Sequence, residues 1–147
     1  LSLTGNGAYI DEYLAKLDPT APELDLAGTF RDEASEGLGG IPQWKAQLGA
    51  RWKHKRWRGN YNLHYVSSME EIVPGTERFR SIDSWLIHDL QLSYTFNVLQ
   101  GLRASIGVDN VFDEEAPLAT SAFNDNIDGR THELKGRYWY TKLSQQF

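Results

Sequence analysis

From Pro42 to Lys55 the chain alternates with a period of two. Trp44, Ala46, Leu48, Ala50 and Trp52 hold one parity; Gln43, Lys45, Gln47, Gly49, Arg51, Lys53 and Lys55 hold the other. Successive side chains of a strand point to opposite faces, so this pattern makes a strand with one dry face and one wet face. On a helix the same lysines would be scattered around the cylinder. The chain turns at Arg56-Trp57-Arg58-Gly59 and alternates again, with Tyr61, Leu63 and Tyr65 set against Asn60, Asn62 and His64. Two strands joined by so few residues form an antiparallel hairpin.

The pattern recurs downstream. Leu90, Leu92, Tyr94 and Phe96 alternate with Asp89, Gln91, Ser93 and Thr95. After a tight turn over Asn97–Gly101, Leu102, Ala104, Ile106 and Val108 alternate with Arg103, Ser105, Gly107 and Asp109. The last stretch carries Trp139 and Leu143 on one face, with Thr141 and Gln145 as weaker members, and Tyr138, Tyr140, Lys142, Ser144 and Gln146 on the other. At the front, Leu1, Leu3, Gly5, Gly7 and Tyr9 share a parity. The spacing predicts six strands in meander order, at residues 1–17, 42–55, 59–69, 84–97, 101–112 and 134–147. Their connections alternate long and short. The long ones are an acidic loop over 18–40 with a short strand near Leu24–Phe30, a loop over Glu70–Arg80, and an Asn-, Asp- and Gly-rich loop over Asp113–Glu133.

Alternation alone does not say what covers the dry face. Mean hydropathy is −0.52, but a lipid-facing strand needs an apolar residue only at every second position. No apolar run approaches the ~18 residues of a membrane helix. Three features point to lipid: strand length with girdle spacing, the asymmetry of the connections, and the aromatic last residue. The strands are well above the ~5–6 residue mean of soluble sheets. Trp44 and Trp52 stand roughly 26 Å apart along their strand, on the order of 20 Å along a membrane normal at about 40° of tilt, close to the ~25 Å band between aromatic girdles. Tight turns lie at one end and long polar loops at the other, and an aromatic residue, Phe147, closes the outward parity of the last strand.

The expected fold is therefore all-β, a transmembrane antiparallel β-barrel. Trp44, Leu48, Trp52, Tyr61, Leu63, Tyr65, Leu90, Leu92, Tyr94 and Phe96 are expected to face lipid or its girdles. A soluble β-sandwich or lipocalin-like binding module is the rival of a different class; a passive channel or porin is the rival within the membrane. Six strands leave two open edges, which hydrocarbon does not tolerate, and bacterial barrels begin at about eight strands. The remainder of the barrel is expected on another chain or another part of the polypeptide, and a chain opening with Leu1 is expected to be part of a longer or processed one.

Candidate chemical sites are sparse. Cysteine is absent, which removes disulfides, thiolate metal sites and Cys nucleophiles. The basic, aromatic run Arg51–Arg58 has the composition of a nucleic-acid patch, but its cations segregate by strand parity in a chain of net charge −5, so no nucleic-acid partner is expected. Asn124-x-Asn126-x-Asp128-Gly129 mimics the opening of a calcium loop, yet the twelfth position is Lys135 rather than the closing Glu; a solvated turn is expected. Asp32, Glu33 and Glu36 are read as loop solvation. His54, His64, His88 and His132 lack metal-ligand spacing. Glu70-Glu71 and Glu114-Glu115 are adjacent pairs in loops, and nothing argues for hydrolysis. Tyr138 and Tyr140, with Arg103 and Lys142, are expected to line the polar interior. No enzyme activity, metal or cofactor is expected.

Four short motifs carry a family resemblance. Gly107-Val108-Asp109-Asn110-Val111-Phe112-Asp113 resembles the strand-end N-[LV]-F-D signature of TonB-dependent outer-membrane receptors, with Asp109, Asn110, Phe112 and Asp113 at its positions. Gly136-Arg137-Tyr138-Trp139-Tyr140, continuing through Leu143 to Phe147, resembles their terminal strand. Asn126, Asp128, Arg130 and Thr131 match an N-x-D-x-R-T pattern in the preceding loop, and Gly40-Ile41-Pro42-Gln43-Trp44-Lys45 resembles the entry to an earlier strand.

The resemblance implies the last six of about 22 strands, with a plug domain, its TonB box and the other strands lying elsewhere. It implies uptake of a scarce nutrient, such as a ferric siderophore, haem, cobalamin or a saccharide, driven through the TonB complex. It also implies extracellular loops that grip substrate and a periplasmic C-terminus. Gly136, Tyr138, Trp139, Tyr140, Leu143 and Phe147 would form the signal read by the barrel-assembly machinery, and outer-membrane lipids and lipopolysaccharide would surround the wall.

Overall fold

A computed structural model describes residues 1–16, 19–31, 39–97, 101–123 and 125–145. In chain order the strands are β1 (Ser2–Tyr9), β2 (Leu14–Ala15), β3 (Leu24–Asp25), β4 (Thr29–Phe30), β5 (Trp44–His54), β6 (Trp57–Val66), β7 (Met69–Ile72), β8 (Phe79–Ile82), β9 (Trp85–Thr95), β10 (Arg103–Asp109) and β11 (Tyr138–Ser144). Six of them form one antiparallel sheet in the order β1-β5-β6-β9-β10-β11. Among the described residues the outer edges of β1 and β11 have no strand partner.

The register keeps the two parities apart across the whole sheet. One row runs Leu3, Ala50, Tyr61, Leu90, Val108, Trp139; the next toward the tight turns runs Trp52, Gly59, Leu92, Ile106, Thr141. A one-residue slip of any strand would exchange its faces. The opposite face reads Arg51, Asn60, Gln91, Gly107, Tyr140 in one row and Lys53, Arg58, Ser93, Ser105, Lys142 in the next. The apolar face is not covered by protein: Leu48 is 53 % exposed, Leu90 46 % and Trp139 63 %.

Apart from Val108, the buried apolar side chains lie at the loop end. Phe30, Met69, Ile82 and Ala119 form one cluster and Leu26 with Ile41 a second. Val66, Trp85 and Ile87 form a third, on the polar-face parity where β6 and β9 enter the loops. Full burial of side chains such as Phe30 or Met69 contributes about 1.5–3 kcal/mol each. The loops thus have a core of their own.

Several expected boundaries move, each for a local reason. The first strand stops at Tyr9, and Leu14–Ala15 pairs with β3 instead. The Asp25 carboxylate accepts the Tyr13 and Ala27 amides and folds the chain back; Leu17 lies outside the described residues. The turn expected at Arg56–Gly59 is tighter, because His54 already pairs with Trp57 and Lys55 takes a left-handed φ of 52°. The expected loop over Glu70–Arg80 contains the hairpin β7–β8, with β4 running parallel to β7. The terminal strand starts at Tyr138 rather than Leu134 and is ordered through Ser144. Phe147 lies outside the described residues, as do residues 98–100 of the second turn.

Tyr140 shows how the sheet handles a glycine. Its ring lies over Gly107, its cross-strand partner, where an added Cβ would collide with it, and its hydroxyl accepts from Gln91 Nε2 at 3.2 Å. Aromatic cover of a strand glycine restores the packing that glycine lacks. Tyr140→Ala is expected to cost about 1 kcal/mol and Tyr140→Phe less, read as shifts in the urea midpoint of the folded barrel.

Candidate functional site

Two places carry the polar chemistry. The first is the polar face of the sheet, which encloses a groove of about 750 Å³. Its floor changes character along the strands. Nearest the tight turns lie Arg103, then Lys53, Arg58 and Lys142, then Arg51. The row of Arg51 continues as a band of amides and a phenol, where Asn60 Nδ2 donates to Gln91 Oε1 at 2.8 Å and Gln91 donates on to Tyr140. Above it Asp89 and Asp109 stand beside each other, and both are engaged. Asp89 Oδ2 meets His64 Nε2 at 3.1 Å while its Oδ1 accepts the Asn110 amide, and Asp109 Oδ2 lies 3.6 Å from Lys135 Nζ.

The second is the loop platform. Glu71 is fully buried, and nothing in its local sequence sets it apart from its neighbour Glu70. Its carboxylate accepts the Thr120 amide and hydroxyl at 3.0 and 2.8 Å, and the Ser121 amide and hydroxyl at 2.8 and 2.7 Å. Arg80 Nη1 donates at 3.2 Å. A charge this deep is tolerated because donors surround it. Burial by itself raises its pKa; the hydrogen bonds from Ser121 and Thr120 outweigh burial and hold it below the ordinary value. The result is a pin between the β7–β8 hairpin and the loop before the terminal strand.

Asp128 makes a second pin, which corrects the expectation of a solvated turn. It is buried, its Oδ2 accepts the Gly40 amide at 2.7 Å, and its Oδ1 accepts the Arg130 and Thr131 amides. Thr131 Oγ1 donates to the Gly40 carbonyl at 3.2 Å. The approach is close enough to demand glycine: Gly39 has φ +81°, and a Cβ there would lie 2.8 Å from Asp128 Oδ1. Thus the two motifs around residues 40 and 128 are one contact. His132 is buried edge-on against Trp85; desolvation lowers its pKa, with Asp128 opposing and Lys45 assisting. Asp32, Glu33, Glu36 and Asn124 lie outside the described residues, and among the described residues no three His, Asp or Glu side chains converge as a metal site.

The Asp109–Asp113 motif closes a third junction. Asn110, at φ +54°, ends β10, and its side chain trades hydrogen bonds with the Glu114 backbone, giving to the carbonyl and taking from the amide, each at 2.8 Å. Asp113 Oδ1 accepts the Arg137 amide at 2.7 Å, and its Oδ2 lies 3.4 Å from Arg137 Nη2. Arg137 thereby sets the start of β11. Phe112 packs edge-on against His88, whose Nδ1 is 2.7 Å from the Tyr61 hydroxyl. Trp44, Leu48, Trp52, Tyr61, Leu63, Tyr65, Leu90, Leu92 and Tyr94 share one face of the sheet, with Trp139 and Leu143 on the same parity; Phe96 follows β9 and packs edge-on against Tyr94. Tyr138 and Tyr140 stack on the opposite face.

Six antiparallel strands, apolar on one face and polar on the other, with tight turns at one end and a packed loop platform at the other, define an open segment of a membrane β-barrel. The family model described as TonB dependent receptor-like, beta-barrel matches residues 1–111, and the chain belongs to that family. No curated protein and no solved structure matches it. The family comprises receptors and transporters of the bacterial outer membrane rather than enzymes, and its barrels operate with a plug domain and with TonB. The match runs through β10; the terminal strand lies beyond it.

The Glu71 pin predicts an acid-labile platform. Because the folded pKa of Glu71 lies below its ordinary value of 4.5, its stabilising contribution is present above that value and lost as pH falls through the folded pKa. Protection factors of the Thr120 and Ser121 amides, taken relative to the intrinsic exchange rate at each pH, are expected to fall on acidification through that range. Glu71→Gln is expected to destabilise the platform by about 1–3 kcal/mol at neutral pH, with the difference from wild type shrinking in acid.

Proposed function

We propose that this chain forms the last strands of the wall of an outer-membrane active transporter, which takes up a scarce nutrient of the ferric-siderophore, haem, cobalamin or saccharide class with energy delivered through TonB. The observation that carries the reading is the uncovered apolar face of a six-stranded sheet in a member of this family. The ten outward residues from Trp44 to Phe96 contact hydrocarbon or its aromatic girdles, and His88, which shares their face, has its Nδ1 paired with the Tyr61 hydroxyl. The loop platform faces outward from the cell and receives the nutrient. The tight turns and Phe147 face the periplasm, and Gly136, Tyr138, Trp139, Tyr140, Leu143 and Phe147 serve the assembly machinery. The free edges of β1 and β11 are completed by the rest of the barrel.

The wall is tested by neighbouring residues of opposite parity. Leu48→Arg is expected to cost roughly 2–4 kcal/mol at mid-bilayer, whereas Gln47→Arg is expected to be nearly silent, both read by heat-modifiable gel mobility and urea midpoint. Equal damage at the two positions would contradict the register against lipid.

Transport is tested in cells whose growth depends on one nutrient of these classes. Deleting the complete receptor, or TonB, is expected to abolish uptake at limiting concentration. Uptake that persists without TonB assigns a passive channel instead, and a monomer that dissolves freely without detergent assigns a soluble module.

A further inference from the structure

Five cations crowd the turn end of the groove: Arg51 and Lys53 on β5, Arg58 on β6, Arg103 on β10 and Lys142 on β11. Lys53 and Arg58 are direct cross-strand partners, an arrangement that repels. Among the described residues no carboxylate lies within ion-pair distance of any of the five; the ion pairs present join other residues. The two acids on the same face, Asp89 and Asp109, are held by His64 and Lys135. Arg103 Nε donates to the Thr95 hydroxyl at 3.4 Å, a neutral acceptor that leaves its charge unmatched. In a chain of net charge −5 this is a local positive excess, left unrelieved by the fold itself.

The spread of the cluster selects its partner. Lys53 and Lys142 lie in one row four interstrand spacings apart, about 19 Å at ~4.8 Å each. A small anion neutralises one or two neighbouring cations and leaves the far ones unmatched. A protein surface spans the row. We propose that this belt docks an acidic, carboxylate-bearing surface of the plug domain that the family's barrels enclose, in contact with Arg51, Lys53, Arg58, Arg103 and Lys142 together. The partner's carboxylates relieve the Lys53–Arg58 repulsion and gain charge-assisted hydrogen bonds. They are also partly shielded from salt by the enclosing wall. The inference rests on the polar face being the barrel interior, and it deepens the transporter reading by naming where and by what charge the plug is seated.

The test uses the complete receptor in detergent, with a carbodiimide that joins a lysine amine to a touching carboxylate without a spacer. Mass spectrometry is expected to find Lys53 and Lys142 linked to Asp or Glu side chains of the plug, and Lys53→Arg with Lys142→Arg is expected to abolish those links while keeping the charge. In the Lys53→Gln, Arg58→Gln, Lys142→Gln variant, plug release is expected at lower urea, with its dependence on sodium chloride flattened and the barrel's heat-modifiable mobility unchanged. Links confined to Asp89, Asp109 or a second copy of this chain overturn the proposal. So do no links in a folded barrel, or protection of both lysines by inorganic phosphate at unchanged plug release. Loss of heat-modifiable mobility in the wild-type receptor would instead defeat the membrane-barrel reading.

Discussion

Backbone hydrogen bonding between strands is the constraint on which everything else in this chain depends. The ladder from β1 to β11 pairs the N–H and C=O groups of each inner strand on both sides, and the period of two then distributes side chains without exception between two faces. Because the ladder fixes register, it also fixes which residues see which surroundings. Gly59 can lie beneath Trp52 on one face, and Gly107 beneath Tyr140 on the other, only in the register observed. Among the described residues the same ladder leaves one edge each of β1 and β11 without a strand partner.

The long connections solve a different problem. A loop at the rim of a barrel cannot lean on a hydrophobic core beneath it, because the lumen under it is polar. Here the loops supply a small core themselves, around Phe30, Met69 and Ile82, and two buried carboxylates fasten it. Glu71 and Asp128 each gather several donors; Glu71 reaches Thr120 and Ser121 across the sequence, and Asp128 joins the distant Gly40 amide to those of its own neighbours Arg130 and Thr131. Each backbone N–H donates in one direction, whereas a carboxylate accepts at two oxygens and so can hold two stretches of loop at once. Apolar contact alone would not specify the orientation of residues 119–131 over β7.

What the sequence made legible follows from range. Alternation is local, so β5, β6, β9 and β10 are readable within a few residues, and even the sidedness of Tyr138 and Tyr140 follows from parity. Strand ends are set by contacts across tens of residues. The chain beyond β1 folds back where Asp25 captures the Tyr13 amide just before β2, and β11 begins where Asp113 captures Arg137; neither acid differs in composition from an ordinary loop aspartate. The hairpin β7–β8 was hidden because Glu71 occupies an inward position where an apolar residue would have completed the pattern with Met69. A signal was available in hindsight: Thr120-Ser121 are consecutive hydroxyl residues able to close around one carboxylate, and Gly39-Gly40 marks a backbone approached closely by something. The motifs at 40, 109–113, 126–131 and 136–137 were visible as words, but only the fold shows that they are contacts, paired as 40 with 128 and 113 with 137.

This pairing bears on how the terminal strand is held. β11 has only β10 beside it among the described strands, so half of its hydrogen-bonding edge contributes nothing to its position. Its start is nevertheless fixed, because Arg137 is bound through both its amide and its guanidinium to Asp113, one residue beyond Phe112 and three beyond the left-handed Asn110 that ends β10. The motif residues thus act on geometry: Asn110 and Asp113 fix where β10 ends and where β11 begins, and the pairing of the last strand continues from that junction.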